Sequence, residues 1–270
     1  PHRHGALADG AKGAGGAMTE PAVHRFAARD GIALVWRELG DADAPPVILL
    51  HGLFSNASVN WVKYGHAAQV ATAGFRVIAP DLRAHGDSGA PHDAVHYPRD
   101  VLVDDLADLI DHLALGSFDL GGFSLGARTA ARAVVSGLKP RRLVLGGMGL
   151  SGLAGWERRG DFFHRAIAEY DTARRGDDTW LAIQFMKTMG VDRVAAGHLL
   201  NSFTDTDPVL LARVTMPALV VCGADDRDNG SAPDLAAALP NARYVAVPGT
   251  HMSSVTQAEL GAAIAAFLEA

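Results

Sequence analysis

A chain of 270 residues, of which 49% are hydrophobic and 20% are charged, can bury a sizeable core, and this excludes an intrinsically disordered protein. The formal net charge of −6, with basic residues scattered along the chain, excludes the basic stripe of a nucleic-acid-binding protein. Because no apolar run approaches the roughly 20 residues of a membrane-spanning helix and Cys222 is the only cysteine, we expect a cytoplasmic protein without a secretory leader, a disulfide or a membrane partner.

The first 17 residues form a segment of their own. They are rich in Gly and Ala and lack amphipathic spacing, and Met18 follows them as a natural start would. We expect residues 1–17 to be a disordered tail or a non-native remnant, and a single domain to occupy residues 18–270.

Runs of β-forming residues alternate with helical runs from residue 22 onward. Residues 23–28 and 32–39, separated by Asp30 and Gly31, predict a hairpin. Further strands are predicted at 46–51, 75–80, 118–123, 141–148, 217–223 and 242–247. Helices are predicted over 60–73, over 100–116 with an amphipathic face, after residue 124, and from about residue 257 onward. This order predicts an α/β fold with a mostly parallel eight-stranded sheet and helices on both faces.

The alternation of strands and helices fails between about residues 152 and 213. That stretch holds three helix-like segments and no convincing strand. Helices inserted after a central strand predict a small helical lid over the carboxyl edge of the sheet, where open α/β sheets bind ligands. We expect apolar residues near this edge to line a substrate pocket, namely Phe54, Phe123, Phe185, Met186 and Met189.

The sequence Gly122-Phe123-Ser124-Leu125-Gly126 stands between a predicted strand and a predicted helix. In this context the pattern is typical of a nucleophilic serine on a sharp turn, because glycines let the strand and helix approach closely. The helix that begins at Leu125 directs free amides at any oxygen that becomes negative beside Ser124. The alternative is an ordinary glycine-rich turn with an incidental serine.

A serine hydroxyl needs a neighbouring base, and the base needs a carboxylate to orient it. Among the twelve histidines, His251 stands on a loop after the predicted strand 242–247, at the edge that carries Ser124. A carboxylate is expected after the strand that ends at Gly223, where the run contains Asp225, Asp226 and Asp228.

These residues together resemble the α/β-hydrolase family, in its serine-nucleophile branch, over nearly the whole chain from about residue 22. The family carries a GxxD pattern that lands here on Gly223 to Asp226, so the resemblance implies Asp226 as the acid, with Asp225 as the rival. Residues 51–54, HGLF, are similar to the family's HGx loop and imply an oxyanion hole made by the backbone amides of Leu53 and Leu125.

Residues 81–89, DLRAHGDSG, are similar to the family's DxRGxGxS stretch, with Ala84 in place of the usual glycine. The resemblance implies structural roles for Asp81, Arg83 and His85. A second departure is Thr250, which stands before His251 where glycine is frequent.

The resemblance implies a carboxylesterase-like serine hydrolase that cleaves an ester or related acyl bond of a small molecule through an acyl-enzyme. The same core serves carbon–carbon bond hydrolases, enol-lactonases, perhydrolases, hydroxynitrile lyases and ligand receptors, and these alternatives stay open, as does a homodimer. Serine at the nucleophile position disfavours the dehalogenase and epoxide hydrolase branches, whose intermediates are alkyl esters of a carboxylate. No cofactor is expected, and no metal either, since prolines flank His92 and His96 and no glutamate lies between them.

Overall fold

The computed structural model describes residues 20–270, so the expectations for residues 1–17 lie outside the described part of the chain. Within residues 20–270, eight strands form one sheet. The strands are β1 Ala22–Ala27, β2 Ala33–Leu39, β3 Pro46–Leu50, β4 Arg76–Asp81, β5 Asp119–Phe123, β6 Leu143–Gly146, β7 Ala218–Gly223 and β8 Ala242–Val247. They lie side by side in the order β1-β2-β4-β3-β5-β6-β7-β8. Strand β2 is antiparallel to both of its neighbours, and the strands from β4 to β8 are parallel, which confirms the predicted mostly parallel sheet.

Helices follow most of the strands. They are α1 His66–Thr72, α2 Val101–His112, α3 Leu125–Val135, α4 Leu150–Ala154, α5 Trp156–Ala168, α6 Trp180–Met189, α7 Arg193–Leu200, α8 Ala232–Ala238 and α9 Ala258–Glu269. Short helical turns of other types cover Ser58–Val62, Ala94–His96, Pro208–Arg213 and Ser253–Thr256. Among residues 20–270, no helix is both long and apolar enough to cross a bilayer.

The central strands are buried on both faces. On β3, Ile48 and Leu50 join a core with α2, α3 and α8, whereas Val47 and Leu49 join a second core with α1 and α9. This division follows from the alternation of side chains along a strand, and it explains why the sequence of β3 is continuously apolar.

The predicted helix over residues 60–73 is wrong in one respect, because the chain there forms two separate elements. A π-helical turn covers Ser58–Val62, and α1 begins only at His66. Gly65 between them has a φ of 82°, a left-handed conformation that interrupts any continuous helix.

Helices α4, α5, α6 and α7 all lie between β6 and β7, in the stretch where the alternation fails. Three of them coincide with the predicted helix-like segments, and α4 adds a short helix at the start of the stretch. Helices α5, α6 and α7 share a small apolar core with Phe54, which lies in the loop after β3.

The chain order reverses around β3, because β4 lies on one side of β3 and β5 lies on the other. In open α/β sheets such a reversal leaves a crevice beyond the carboxyl ends of the two strands. The loops that leave β3, β5, β7 and β8 all begin at this edge, and they carry Leu53, Ser124, Asp226 and His251.

Candidate active site

Ser124 occupies the turn between β5 and α3 with a φ of 53° and a ψ of −112°. These angles are strained for a residue with a Cβ atom, so the surrounding structure must hold them. Gly122 and Gly126 make the turn sterically feasible. A Cβ atom on Gly122 would collide with the backbone of Gly126, and one on Gly126 would collide with the carbonyl of Leu50. The close crossing of strand and helix therefore holds Ser124 at the carboxyl edge of the sheet.

His251 connects Ser124 to Asp226. Its Nε2 lies 3.0 Å from Ser124 Oγ, and its Nδ1 lies 2.8 Å from Asp226 Oδ2. A carboxylate only accepts hydrogen bonds, so Nδ1 carries the proton and donates it to Asp226. Nε2 of the neutral ring is then the acceptor for the Ser124 hydroxyl. The structure thus brings together the serine, the histidine and one of the aspartates that the sequence singled out.

Asp226 is buried, with 5% of its surface exposed. Burial alone would raise the pKa of the Asp226 carboxyl, but hydrogen bonding from His251 outweighs it. The Asp228 amide, 3.0 Å from Oδ1, adds to this effect, and the pKa is lowered. Asp226 therefore stays ionised beside His251. Asp225 is exposed, and its backbone amide donates to the carbonyl of Gly249.

Cys222 lies behind the carboxylate. Its Sγ donates to Asp226 Oδ2 over 3.3 Å. Burial and the charge of Asp226 raise the pKa of the Cys222 thiol to about 12, so it remains a protonated donor. The sole cysteine of the chain is thus a small buried neighbour of the carboxylate, and its high pKa makes it unreactive as a thiolate.

The loop after β3 contains a free backbone amide at the cavity that Ser124 lines. The Phe54 amide donates to His85 Nε2 over 2.9 Å, and the Ser55 amide donates to the Gly52 carbonyl over 3.2 Å. Among residues 20–270, the amides of Leu53 and Leu125 have no acceptor. Both residues line the cavity beside Ser124, so both amides are available to an oxygen of a bound molecule.

Two buried histidines hold this loop in place. His51 accepts from the Leu82 amide through Nε2 over 2.9 Å, and His85 accepts from Phe54. Burial lowers the pKa of both imidazoles, and that of His85 falls to about 3 because His51 adds to the effect of burial. The rings therefore stay neutral at physiological pH and keep their acceptor nitrogens.

The remaining residues of the 81–89 stretch also bond to structural partners. Asp81 accepts from the Ala57 amide over 2.9 Å and from Arg37 over 2.8 Å. Arg83, which is 1% exposed, donates to Asp105 over 2.7 Å and to Asp30 over 3.0 Å. None of these contacts reaches Ser124, and they tie loops together.

The cavity beside Ser124 is narrow, with a volume of about 30 Å³. Its lining residues come from the β3 loop, α3, the start of the inserted helices and the β7 loop: Leu53, Ser124, Leu125, Arg128, Met148, Gly152, Trp156, Arg159, Phe163 and Asn229. A cavity of this size lies well below the range for drug-sized ligands, which favours a small ligand.

None of the five predicted pocket residues lines this cavity. The Phe123 ring packs against the His251 ring at 5.1 Å, and the Phe54 ring packs against the Phe163 ring at 5.6 Å. Met186 is fully buried in the core shared by α5, α6 and α7, and Phe185 packs against that core. Met189 lies half-buried at the last residue of α6.

Helix α5 supplies the wall that sequence reasoning missed. Trp156, Arg159 and Phe163 stand at positions i, i+3 and i+7, so they share one face of the helix, and all three line the cavity. Their spacing was available in the sequence. The face holds an arginine between two aromatic residues. Because the arginine interrupts the apolar pattern, the sequence does not predict an apolar stripe here.

Two sets of residues contain side chains of the kinds that bind metal ions. Within the described chain, Asp226, Asp228 and His251 offer ligand atoms within 4.8 Å of one another, but both ring nitrogens of His251 already contact Asp226 and Ser124. His92 and His96 contact different carboxylates, Asp192 at 2.6 Å and Asp30 at 3.0 Å. Neither set therefore has its histidines free to converge on an ion.

The sheet order, the strained Ser124 turn and the facing His251 define a known architecture, and residues 45–142 match the family model described as the alpha/beta hydrolase fold. The chain has the α/β-hydrolase fold. Among solved structures of this fold, a hydrolase from Pseudomonas aeruginosa PA01 is similar with a TM-score of 0.71 and 24% identity, covering 95% of this chain and 100% of that one. An enol-lactonase from Burkholderia xenovorans LB400 is similar with a TM-score of 0.70 and 23% identity, covering 92% of this chain and 100% of that one.

Curated relatives match part of the chain. An epoxide hydrolase from Caballeronia sordidicola is 38% identical over 115 residues, which are 43% of this chain and 33% of that protein. The chain therefore spans about a third of the length of this curated relative.

Proposed function

We propose that this α/β-hydrolase-fold protein is a serine hydrolase that cleaves an ester, or a related acyl bond, of a small molecule. The observation that carries the proposal is the continuous chain from Ser124 Oγ through His251 to Asp226, at 3.0 Å and 2.8 Å. Nucleophile, base and buried acid in this relation are what acyl transfer through a serine requires.

In the proposed reaction, Ser124 Oγ attacks the substrate carbonyl carbon while Nε2 of His251 takes the hydroxyl proton. The ionised Asp226 stabilises the imidazolium that forms. The carbonyl oxygen becomes negative and accepts hydrogen bonds from the backbone amides of Leu53 and Leu125. His251 then returns the proton to the leaving alcohol, and an acyl group remains on Ser124.

A water molecule completes the cycle. His251 removes a proton from the water, which attacks the acyl carbon, and the same two amides hold the second oxyanion. The acid product leaves, and Ser124 regains its proton. The chain's own side chains supply every proton transfer in this sequence, and we propose that it proceeds without a cofactor.

Epoxide opening by the same residues does not form a cycle, although an epoxide hydrolase is among the relatives. Attack of Ser124 Oγ on an epoxide carbon would form an alkyl ether. An ether has no carbonyl carbon for water to attack, so Ser124 would not be regenerated. The hydroxyl nucleophile therefore favours acyl substrates, and we expect styrene oxide to yield no diol.

Ser124→Ala tests the proposal directly. We expect the wild-type protein to hydrolyse p-nitrophenyl acetate and to be labelled by a fluorophosphonate probe, and Ser124→Ala to lose labelling and roughly 10³-fold or more in kcat/KM. Ser136→Ala is the matched control, since Ser136 is an exposed residue at the other end of α3. Wild-type protein that folds but neither turns over the ester nor takes the label would contradict the proposal and favour a ligand receptor.

A further inference from the structure

Arg159 places a positive charge beside Ser124. It belongs to α5, on the same face as Trp156 and Phe163, and it lines the cavity that also contains Ser124 and the free amides of Leu53 and Leu125. A neutral ester needs no cation at this position.

The Arg159 guanidinium has few protein partners. Its Nη1 donates to the backbone carbonyl of Asp228 over 2.7 Å, and the guanidinium lies 5.5 Å above the Phe163 ring. Within residues 20–270, no carboxylate oxygen lies within 4.0 Å of it, and its Nε and Nη2 donate to no acceptor. Most of its five N–H donors therefore remain free.

Arg128 lies on another wall of the cavity, and its charge is balanced by a carboxylate. It is buried, and its Nη2 contacts Asp205 Oδ1 at 2.7 Å, while Nη1 donates to the Gly152 carbonyl over 2.5 Å. The two arginines share one cavity, yet only Arg128 has a carboxylate partner.

Arg159 is half-buried, and its partial desolvation is incompletely offset. Burial lowers the pKa of the Arg159 guanidinium, and the charges of Asp228 and Asp226 oppose that shift from a distance. Neither carboxylate lies within 4.0 Å of the Arg159 guanidinium, and Asp226 accepts from His251 instead. An arginine keeps its charge even when buried, and a cation without a close anion favours a ligand that supplies one.

We infer that the substrate carries a carboxylate in addition to the scissile acyl bond, and that Arg159 binds this carboxylate. The planar guanidinium fits a carboxylate through two parallel hydrogen bonds. Because Arg159 and Ser124 line one narrow cavity, the carboxylate lies a few carbons from the acyl bond. This substrate class, a short carboxylated ester, rests on the proposed serine hydrolase function.

Matched ester pairs test the inference, because each pair differs only in a carboxylate that replaces a terminal methyl group. With the carboxylate on the acyl side, the pairs are monoethyl succinate with ethyl butanoate and monoethyl glutarate with ethyl pentanoate. With the carboxylate on the alcohol side, the pair is 3-acetoxypropanoate with propyl acetate. Proton release in a pH-stat gives kcat/KM for each ester.

We expect the wild-type protein to prefer the charged member of at least one pair roughly tenfold or more, and Arg159→Met to lose that preference. Arg159→Lys keeps the charge but not the planar fork, so part of the preference should return. Arg158→Met is the matched control, because Arg158 is the neighbouring arginine, is exposed and does not line the cavity. It should keep the wild-type preference.

A purely structural Arg159, fixing α5 to the Asp228 loop, would give a lower melting temperature in Arg159→Met and the same charged-to-neutral ratio as the wild type for every pair. That result overturns the inference while leaving the serine hydrolase function intact. Where no ester of either kind is turned over, the proposed function fails, and calorimetric titration with glutarate then decides the inference. We expect glutarate to bind the wild-type protein and Arg158→Met, and to bind Arg159→Met at least tenfold more weakly; no binding to the wild type overturns the inference.

Discussion

Asp225 and Asp226 are adjacent in sequence, and the fold separates them completely. Asp226 is buried and accepts from His251, whereas Asp225 points into solvent. Asp226→Asn should lower kcat/KM on p-nitrophenyl acetate by roughly 10²- to 10⁴-fold, because an amide favours the wrong tautomer of His251. Asp225→Asn, the isosteric control next to it, should stay within about twofold of the wild type. The reverse pattern of losses would assign the acid to Asp225.

The sequence alone could single out Ser124 and His251, because each stands in a local pattern at the end of a predicted strand. The choice of Asp226 rested on a family resemblance. Its physical basis is the turn after Gly223, where the Asp226 amide donates to the Gly223 carbonyl over 3.0 Å and directs the side chain inward. A turn of this kind depends on backbone angles that a run of aspartates does not encode individually.

Helices α5 and α6 show that apolar composition does not identify which helix lines the cavity. Phe185, Met186 and Met189 make α6 the most apolar segment of the insertion, and apolarity predicted a pocket there. An apolar side chain is expected to be buried, but its apolarity does not indicate whether it packs against the cavity or against other helices. Met186 is buried against the other inserted helices, and the cavity wall comes from α5, whose inner face includes a cation.

We therefore expect Phe163→Ala to change substrate preference and Met186→Ala to change stability. Phe163 lines the cavity, so its truncation should change the ranking of p-nitrophenyl esters by chain length, by about 1–3 kcal/mol or 10- to 200-fold between substrates. Met186 is fully buried away from the cavity, so its truncation should cost about 2–5 kcal/mol of unfolding free energy and leave the ranking unchanged. Urea denaturation and a chain-length series measure the two effects. An altered ranking in Met186→Ala would return α6 to the substrate pocket.

Arg83 connects distant parts of the chain. It bonds to Asp105 on α2, to Asp30 in the hairpin turn between β1 and β2, and to the carbonyl of His96. The guanidinium is buried, so each carboxylate partner compensates part of its desolvation. The alternating strand pattern predicted the sheet, but contacts across 53 and 22 positions of sequence have no local signal.

The Asp30 contact makes stability depend on pH in a defined direction. Hydrogen bonding from Arg83, opposed by partial burial and assisted by His96, holds the pKa of the Asp30 carboxyl well below its usual range. A carboxylate with a depressed folded-state pKa stabilises the fold above its unfolded-state value of about 3.9, and this stabilisation is lost as the pH falls towards the folded-state value.

Asp30→Asn should therefore lower the unfolding free energy by about 1–3 kcal/mol at pH 7, and its difference from the wild type should shrink below about pH 4. Urea denaturation from pH 7 to pH 3 measures this. Asp43→Asn, which alters an exposed carboxylate without an ion pair among the described residues, should match the wild type throughout. An Asp30→Asn deficit that stays constant with pH would assign the loss to packing instead of charge.

The positions of Leu53, Ser124, Asp226 and His251 along the chain have a consequence for biosynthesis. The strands that carry these residues enter the sheet from its middle outwards, and His251 follows β8, which lies at the edge of the sheet. A nascent chain exposes Ser124 more than a hundred residues before it has made the base, as the separation of 127 positions requires. Until β8 has paired with β7, Ser124 lacks its contact with His251. By the proposed mechanism Ser124 is then an ordinary alcohol, so we expect the growing polypeptide to escape acylation by metabolites that it meets at the ribosome.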